Sequence, residues 1–153
     1  MLDIDLIAVG RMKDEAMASL SDDYYKRIRW RLKLYEITSR KDDAKKRYDE
    51  DMQKILAKLD DQAFIVVLDE RGNGLKSLDF ANTLQKLRDT GENKVQFIIG
   101  GADGLCDAVR NHASFLLSFG QQTWPHMLAR IMLLEQIYRA QTIIDGHPYH
   151  KQG

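Results

Sequence analysis

The chain has 153 residues, of which 44% are hydrophobic, and both figures are typical of one compact domain with its own core. Its 23 basic and 23 acidic residues give a formal net charge of zero, which taken alone argues against a nucleic-acid partner. A membrane-spanning helix is excluded, because the longest apolar run, Ala63 to Leu68, is far shorter than the roughly 20 residues required.

Strand-like and helix-like apolar patterns alternate along the whole chain. Alternating apolar residues predict a strand from Leu2 to Val9, and apolar residues spaced by four predict a helix from Asp14 to Ile28. The continuous apolar run Phe64 to Leu68 is typical of a central parallel strand covered on both faces. This alternation predicts one α/β domain over residues 1–153, with a mostly parallel sheet flanked by helices. In chain order, the remaining elements are a strand at 32–38, a helix at 42–59, a helix at 77–88, a strand at 95–99, a short helix through Val109, a strand at 114–118 and a long helix at 127–144.

The N-terminus and the cysteine content predict a cytoplasmic protein. Asp3 and Asp5 stand where a secretory signal would carry positive charge, and no small-residue cleavage site follows a long apolar stretch. The lone Cys106 has no partner for an internal disulfide, and it fits a reducing compartment.

The zero net charge conceals one strongly basic segment, residues 26–48. It holds ten basic and three acidic side chains, a net charge of +7, interleaved with Trp30, Tyr35 and Tyr48. Cations suit phosphates and flat rings suit exposed bases, so this mixture favours RNA. A solvated helix face beside ordinary packing aromatics is an equally simple interpretation of this segment.

Three loops follow predicted strands and are the candidate ligand-binding loops, because open parallel sheets bind ligands beyond the carboxyl ends of their strands. They are Asp69–Gly74, Gly100–Gly104 and Phe119–Pro125. The glycine pattern of the second loop is not the G-x-G-x-x-G dinucleotide fingerprint, and the chain has no G-x-x-x-x-G-K-[ST] phosphate loop. The four histidines lack a neighbouring set of Cys or carboxylate ligands, so we predict no metal site.

The C-terminal part carries groups that can move protons. His147-Pro148-Tyr149-His150 places two imidazoles and a phenol in four residues, although a frayed tail is the simpler expectation for a chain end. The predicted last helix is apolar on more than one face, which favours burial against a second subunit. Arg130 and Arg139 lie nine residues apart, about 180° around that helix, so they cannot both face one pocket of a single subunit.

Several motifs spread along the chain occur together in one family. They are Ala8-Val9-Gly10-Arg11-Met12-Lys13, Ile98-Ile99-Gly100-Gly101-x-x-Gly104-Leu105, Pro125-His126-x-x-x-Arg130-x-x-x-x-Glu135-x-x-Tyr138-Arg139-Ala140 and the final His147-Pro148-Tyr149-His150. Together they resemble RlmH, the ribosomal RNA large subunit methyltransferases H of the SPOUT class. The resemblance runs from the first strand to the last few residues.

The resemblance implies a homodimer with a C-terminal trefoil knot that binds S-adenosylmethionine and methylates N3 of a pseudouridine in 23S rRNA. Because N3 has to lose a proton, we take His150 and Tyr149 as the candidate bases, and Arg139 and Arg130 as the candidates that stabilise the developing charge. Asn73 and Trp124 depart from the residues common in the family. The implied cofactor contacts are Leu68, Gly100, Phe119, Gly120, Gln121, Gln122, Thr123 and Trp124.

Two other functions stay open on the sequence. A ribosome-assembly factor without enzymatic activity would need only the basic segment, and its loops would be plain turns. A methyltransferase of the same class could instead act on another RNA, because uridine and pseudouridine both present an N3–H.

Overall fold

The computed structural model describes residues 1–152, excluding the side chain of Gln152, and its strands form a single sheet. All four strand pairings are parallel, and the strand order is β2-β1-β4-β3-β5. The predicted α/β architecture is therefore confirmed, and the sheet proves to be entirely parallel. The strands are β1 (Asp3–Val9), β2 (Arg31–Ile37), β3 (Phe64–Asn73), β4 (Lys94–Ile99) and β5 (Phe115–Leu117).

Helices cover both faces of the sheet and bury two apolar clusters against it. On one face α5 lies between α1 and α3, and on the other face α2 contacts α4. None of the described helices is long and apolar enough to cross a membrane. The helices are α1 (Glu15–Arg27), α2 (Ala44–Lys58), α3 (Ser77–Asp89), α4 (Asp107–Arg110), α5 (His126–Asp145) and a terminal 3-10 helix (Pro148–Gln152), called the tail below.

The predicted loop Asp69–Gly74 is wrong in part, because β3 continues through it to Asn73. The β3–β5 pairing shifts register between Leu68 and Asn73, so the strand pairs with β5 before and after an irregular segment. Gly72 lies against β5 so closely that a Cβ there would stand 2.5 Å from the carbonyl oxygen of Leu116. The turn-forming residues of this segment predicted that β3 ends before it, whereas pairing with β5 extends the strand.

Because every strand is parallel, the sheet has one end where all strands begin and one where all finish, called the amino end and the carboxyl end. Helix α5 runs between them. Its first residue, His126, lies near Gly10 at the carboxyl end of β1. Near the other terminus of α5, Gln141 accepts a 2.6 Å hydrogen bond from the backbone N–H of Arg29, just before β2 begins. The implied trefoil knot stays a prediction.

Candidate active site

A cavity of ≈ 780 Å³ opens at the carboxyl end of the sheet, where β3, β4 and β5 finish. Of the implied cofactor contacts, Gln121 alone does not line this cavity. Positions distant in the chain converge here because the carboxyl ends of parallel strands meet at one end of a sheet. The implied contacts that line the cavity are Leu68, Gly100, Phe119, Gly120, Gln122, Thr123 and Trp124.

One wall of the cavity is the loop that follows β4. A Cβ on Gly100 would stand 3.0 Å from the backbone carbon of Gly104 and 3.0 Å from the Leu105 side chain. Gly104 has φ +72°, and it forms an isolated backbone bridge with Gly101. Only glycine fits this folded-back loop without displacement, and the resulting bare backbone provides a flat surface for a ligand.

The opposite wall is the loop Phe119–Pro125. The Ser118 hydroxyl donates to the carbonyl of Gly120 at 2.9 Å and accepts from its N–H at 3.1 Å. The Trp124 indole N–H donates to the carbonyl of Phe119 at 3.2 Å, which fixes the ring beside the cavity with 38% of the residue exposed. This wall is therefore held by its own hydrogen bonds and presents an aromatic surface.

Charged residues line another part of the cavity; Asp69 lies in a predicted ligand-binding loop, whereas the sequence patterns missed Arg110. Asp69 follows the apolar part of β3, and Arg110 ends α4. The Arg110 guanidinium lies 3.5 Å from the Asp69 carboxylate, and it also donates to the carbonyl of Leu105 and to the Asp107 carboxylate. No periodicity or motif marks Arg110, because its position depends on how the short helix α4 packs.

The three predicted catalytic residues lie together. Arg139 stacks on the Tyr149 ring at 5.2 Å from guanidinium carbon to ring centroid, and it donates a long 3.5 Å hydrogen bond to the His150 carbonyl. Glu135, one turn earlier on α5, accepts a 2.7 Å hydrogen bond from the Arg139 guanidinium. Burial raises the pKa of Tyr149 to about 12, so its phenol keeps its proton at neutral pH.

This cluster lies far from the cavity of the same subunit. Arg139 is 10 residues after Ala129, the last residue of α5 that lines the cavity, a separation of about 15 Å at 1.5 Å per residue. The Tyr149 ring packs against Tyr138 at 4.7 Å between centroids, near the amino end of the sheet. The tail and the cavity are therefore separated along α5, and between them Glu135, which accepts from Arg139, lines a second cavity of ≈ 410 Å³ together with Phe119 and Gly120.

Arg130 is a buried structural residue. It is 1% exposed, and its guanidinium donates to Glu36 at 2.7 Å and to the Gly10 carbonyl at 3.0 Å. Glu36 also accepts a 3.0 Å hydrogen bond from the backbone N–H of Met12. This arrangement connects α5, β2 and the loop after β1, and it favours Arg139 over Arg130 as the arginine available to a substrate.

The basic segment 26–48 contains the strand β2 (Arg31–Ile37). The residues before β2 therefore lie at the amino end of the sheet, and the residues after it follow from the carboxyl end. Some of its charge is also used internally. Lys45 forms a 2.9 Å ion pair with Asp49, and Arg47 donates to the backbone carbonyls at positions 41 and 42. Lys46 has no ion-pair partner among the described residues. The net charge of +7 therefore overstates the positive surface that one ligand can meet.

Within residues 1–152, no group of three or more His, Cys, Asp or Glu side chains is placed to hold a metal ion. The ligand-binding capacity of this end of the sheet therefore lies in its glycine walls, its aromatic surface and its charged groups. A parallel α/β sheet with such a cavity beyond its strands is the arrangement of enzymes that bind nucleotide-like cofactors.

Comparison with known proteins identifies the family. The model of a family described as predicted SPOUT methyltransferase matches residues 2–150, and the chain belongs to this family. It is 47% identical over 149 residues to the ribosomal RNA large subunit methyltransferase H of Rhodospirillum centenum, covering 95% of this chain and 97% of that protein. It is 44% identical to the protein of the same name from Bradyrhizobium diazoefficiens, covering 97% and 98% respectively.

Solved structures support the fold. A probable methylase family protein from Haemophilus influenzae matches with a TM-score of 0.60 at 10% identity, covering 97% of this chain and 71% of that one. A probable methyltransferase from Bordetella pertussis matches with a TM-score of 0.59 at 14% identity, covering 91% and 96%. A ribosomal RNA small subunit methyltransferase E from Neisseria gonorrhoeae, bound to S-adenosyl methionine, matches with a TM-score of 0.51 at 13% identity, covering 94% and 66%.

Proposed function

We propose that this chain transfers a methyl group from S-adenosylmethionine to N3 of a pseudouridine in the 23S rRNA of the large ribosomal subunit. The observation that carries the proposal is the cavity formed by Leu68, Gly100 and the loop after β5 in a SPOUT methyltransferase. The relatives named ribosomal RNA large subunit methyltransferase H support the substrate class. The cytoplasmic location predicted from the sequence fits a ribosomal substrate.

The residues present fit S-adenosylmethionine. A volume of ≈ 780 Å³ lies within the usual range for small-molecule sites. The bare backbone of Gly100 and Gly101 suits a flat purine, and the polar side chains of Gln122 and Thr123 suit the polar parts of a nucleoside and an amino acid. The cofactor supplies a methyl group carried on a positively charged sulfur.

Residues of the tail then act on the RNA base. N3 of a uracil ring carries a proton that has to leave before the nitrogen can attack, so a base or a stabiliser of the anionic ring is required. The raised pKa of Tyr149 keeps its phenol protonated as a hydrogen-bond donor, and we assign the His150 imidazole as the proton acceptor. Arg139 stabilises the negative charge that develops on the ring.

A homodimer reconciles these roles with the separation of tail and cavity. Within one subunit about 15 Å of α5 lies between Ala129 at the edge of the cavity and Arg139, which is more than an arginine side chain spans. Pairing of two copies through the partly exposed face of α5 brings the tail of one copy to the cavity of the other. Such an isologous arrangement makes two identical sites in each dimer.

Calorimetry tests the cofactor assignment. Titration of the chain with S-adenosylmethionine is expected to show saturable binding with one site per subunit, and Trp124 emission is expected to change with the same saturation curve. Trp124→Phe is the matched control, since it removes the emission change while Trp30, which is 8% exposed, remains in the core. Absence of heat would instead favour the ribosome-assembly factor.

The basic segment gives a second prediction. Lys46→Glu is expected to weaken RNA binding and to lower the slope of log affinity against log salt by about one, because it removes a phosphate contact. Lys45→Glu is the matched control: the Lys45 charge is already paired with Asp49, so the loss of affinity is expected to be smaller. Salt-dependent filter binding measures both, and equal losses would contradict the prediction. Cofactor affinity is expected to stay unchanged in both variants.

The target nucleotide is tested by mapping methyl groups in rRNA. A strain lacking this protein is expected to lose one N3-methyl group on a pseudouridine of 23S rRNA and to regain it when the gene is returned. Intact 23S rRNA with a lost methyl group on tRNA or another RNA would instead identify a SPOUT methyltransferase with a different substrate.

A further inference from the structure

The two strand-end segments around Asp69 and Gly100–Leu105 lack the backbone pairing that joins their strands. The β3–β4 ladder ends at the pair Val67 and Ile98. After that point Leu68 pairs with β5, while the chain after β4 folds back on itself through the Gly101–Gly104 bridge. The gap between these two cavity walls therefore has to be set by side chains.

Arg110 supplies that connection. On the β4 side, its guanidinium donates to the carbonyl of Leu105 at the end of the folded-back loop, and to Asp107 on its own helix. On the β3 side, it lies 3.5 Å from the Asp69 carboxylate. In the part of the chain that the structure describes, it is the side chain that joins the two segments by hydrogen bonds or ion pairs.

The pair is partly protected from water and held from both sides. The side chains of Arg110 and Asp69 are 17% and 9% exposed, which is more buried than an ordinary surface ion pair. The other oxygen of Asp69 accepts a 2.8 Å hydrogen bond from the backbone N–H of Arg71, so the carboxylate is fixed in orientation. The hydrogen bond with Asp107 raises the pKa of Arg110, which stays cationic.

We propose that Arg110 and Asp69 form a clasp that sets the width of the cofactor cavity, and that Arg110 is a positioning residue for cofactor affinity. This inference rests on the proposed binding of S-adenosylmethionine in the cavity. With the clasp present, the glycine wall is held at a fixed distance from Leu68 before the cofactor arrives. Without it, binding has to order the wall, so affinity falls while the bound geometry and the rate of methyl transfer remain.

The test compares Arg110→Met, Arg110→Lys and Asp69→Asn, with Arg88→Met as the control. Arg88 pairs with the adjacent Asp89 on α3 and does not line the cavity. Calorimetry is expected to show about a tenfold higher Kd for S-adenosylmethionine in Arg110→Met and about threefold in Arg110→Lys, which keeps the charge but not the forked geometry. The KM for the cofactor rises in parallel, and kcat at saturation stays within about twofold.

The double variant Asp69→Asn, Arg110→Met is expected to bind no more weakly than Arg110→Met, because the two residues act as one unit. A Kd within twofold of the wild type in Arg110→Met, a fall in kcat that matches the rise in KM, or full additivity in the double variant would each overturn the clasp. Failure of the wild type itself to bind S-adenosylmethionine would overturn the proposed function and the clasp together. If Arg110→Met does not fold, the Kd values of Arg110→Lys and Asp69→Asn are compared with that of the wild type instead.

Discussion

Two inactive variants of this chain are expected to restore methyl transfer when they are combined in one dimer. His150→Ala removes the proposed proton acceptor of the tail, and the proposed homodimer of this variant is expected to turn over at least about 100-fold more slowly, with cofactor binding intact. Gly100→Val fills the folded-back loop, where even a Cβ would stand 3.0 Å from Gly104 and Leu105, so its homodimer is expected to lose cofactor binding.

A heterodimer of the two variants holds one intact site if the tail of each copy serves the cavity of the other. The isolated heterodimer has one good site in two, so about half of the wild-type activity is expected to return. Co-expression with two affinity tags and measurement of radiolabelled methyl transfer to ribosomal particles tests this.

The matched control replaces Gly100→Val by the double variant Gly100→Val, His150→Ala. No pairing of this chain with His150→Ala contains an intact tail, so no activity is expected to return. Complementation that fails with both partners would place the tail and the cavity of one site in a single subunit, against the separation seen along α5. Circular dichroism of each variant confirms that the losses arise in folded protein.

The order of elements was predictable because apolar periodicity reports which face of each element is buried. The run Phe64 to Leu68 predicted a central strand covered on both faces; residues 65–67 are buried, but β3 is the fourth of five strands and β4 is the central one. The continuation of β3 to Asn73 was not predictable, because it depends on pairing with β5, more than 40 residues later in the chain. Local turn residues carry no information about such a partner.

Some features of the candidate site were predictable from the sequence, and others were not. The positions of the glycine loops followed from the rule that parallel sheets bind ligands beyond their strands, and the structure gathers most of them around one cavity. Arg110 was missed because four residues of α4 carry no periodic signal. The distance between tail and cavity was also missed, since it depends on the direction in which α5 crosses the sheet.

Glu36→Ala is expected to lower the free energy of unfolding by about 3 kcal/mol, because it leaves the Arg130 charge buried without its partner. The Arg130 side chain is 2% exposed and donates to Glu36 at 2.7 Å, so water cannot replace the lost carboxylate fully. The backbone N–H of Met12 loses its acceptor in the same variant. Urea denaturation followed by circular dichroism measures the change.

Asp49→Ala is the control, since it removes an ion pair whose Lys45 and Asp49 side chains are 81% and 58% exposed. Its expected cost is much smaller than that of Glu36→Ala, because exposed pairs gain little over hydrated charges. The double variant Glu36→Gln, Arg130→Met removes both charges and is expected to be more stable than Glu36→Ala, as no unpaired charge remains buried. Equal losses in Glu36→Ala and Asp49→Ala would show that Arg130 finds another partner. If the double variant were instead the least stable of the three, the cost would arise from lost packing between α5 and the loop after β1.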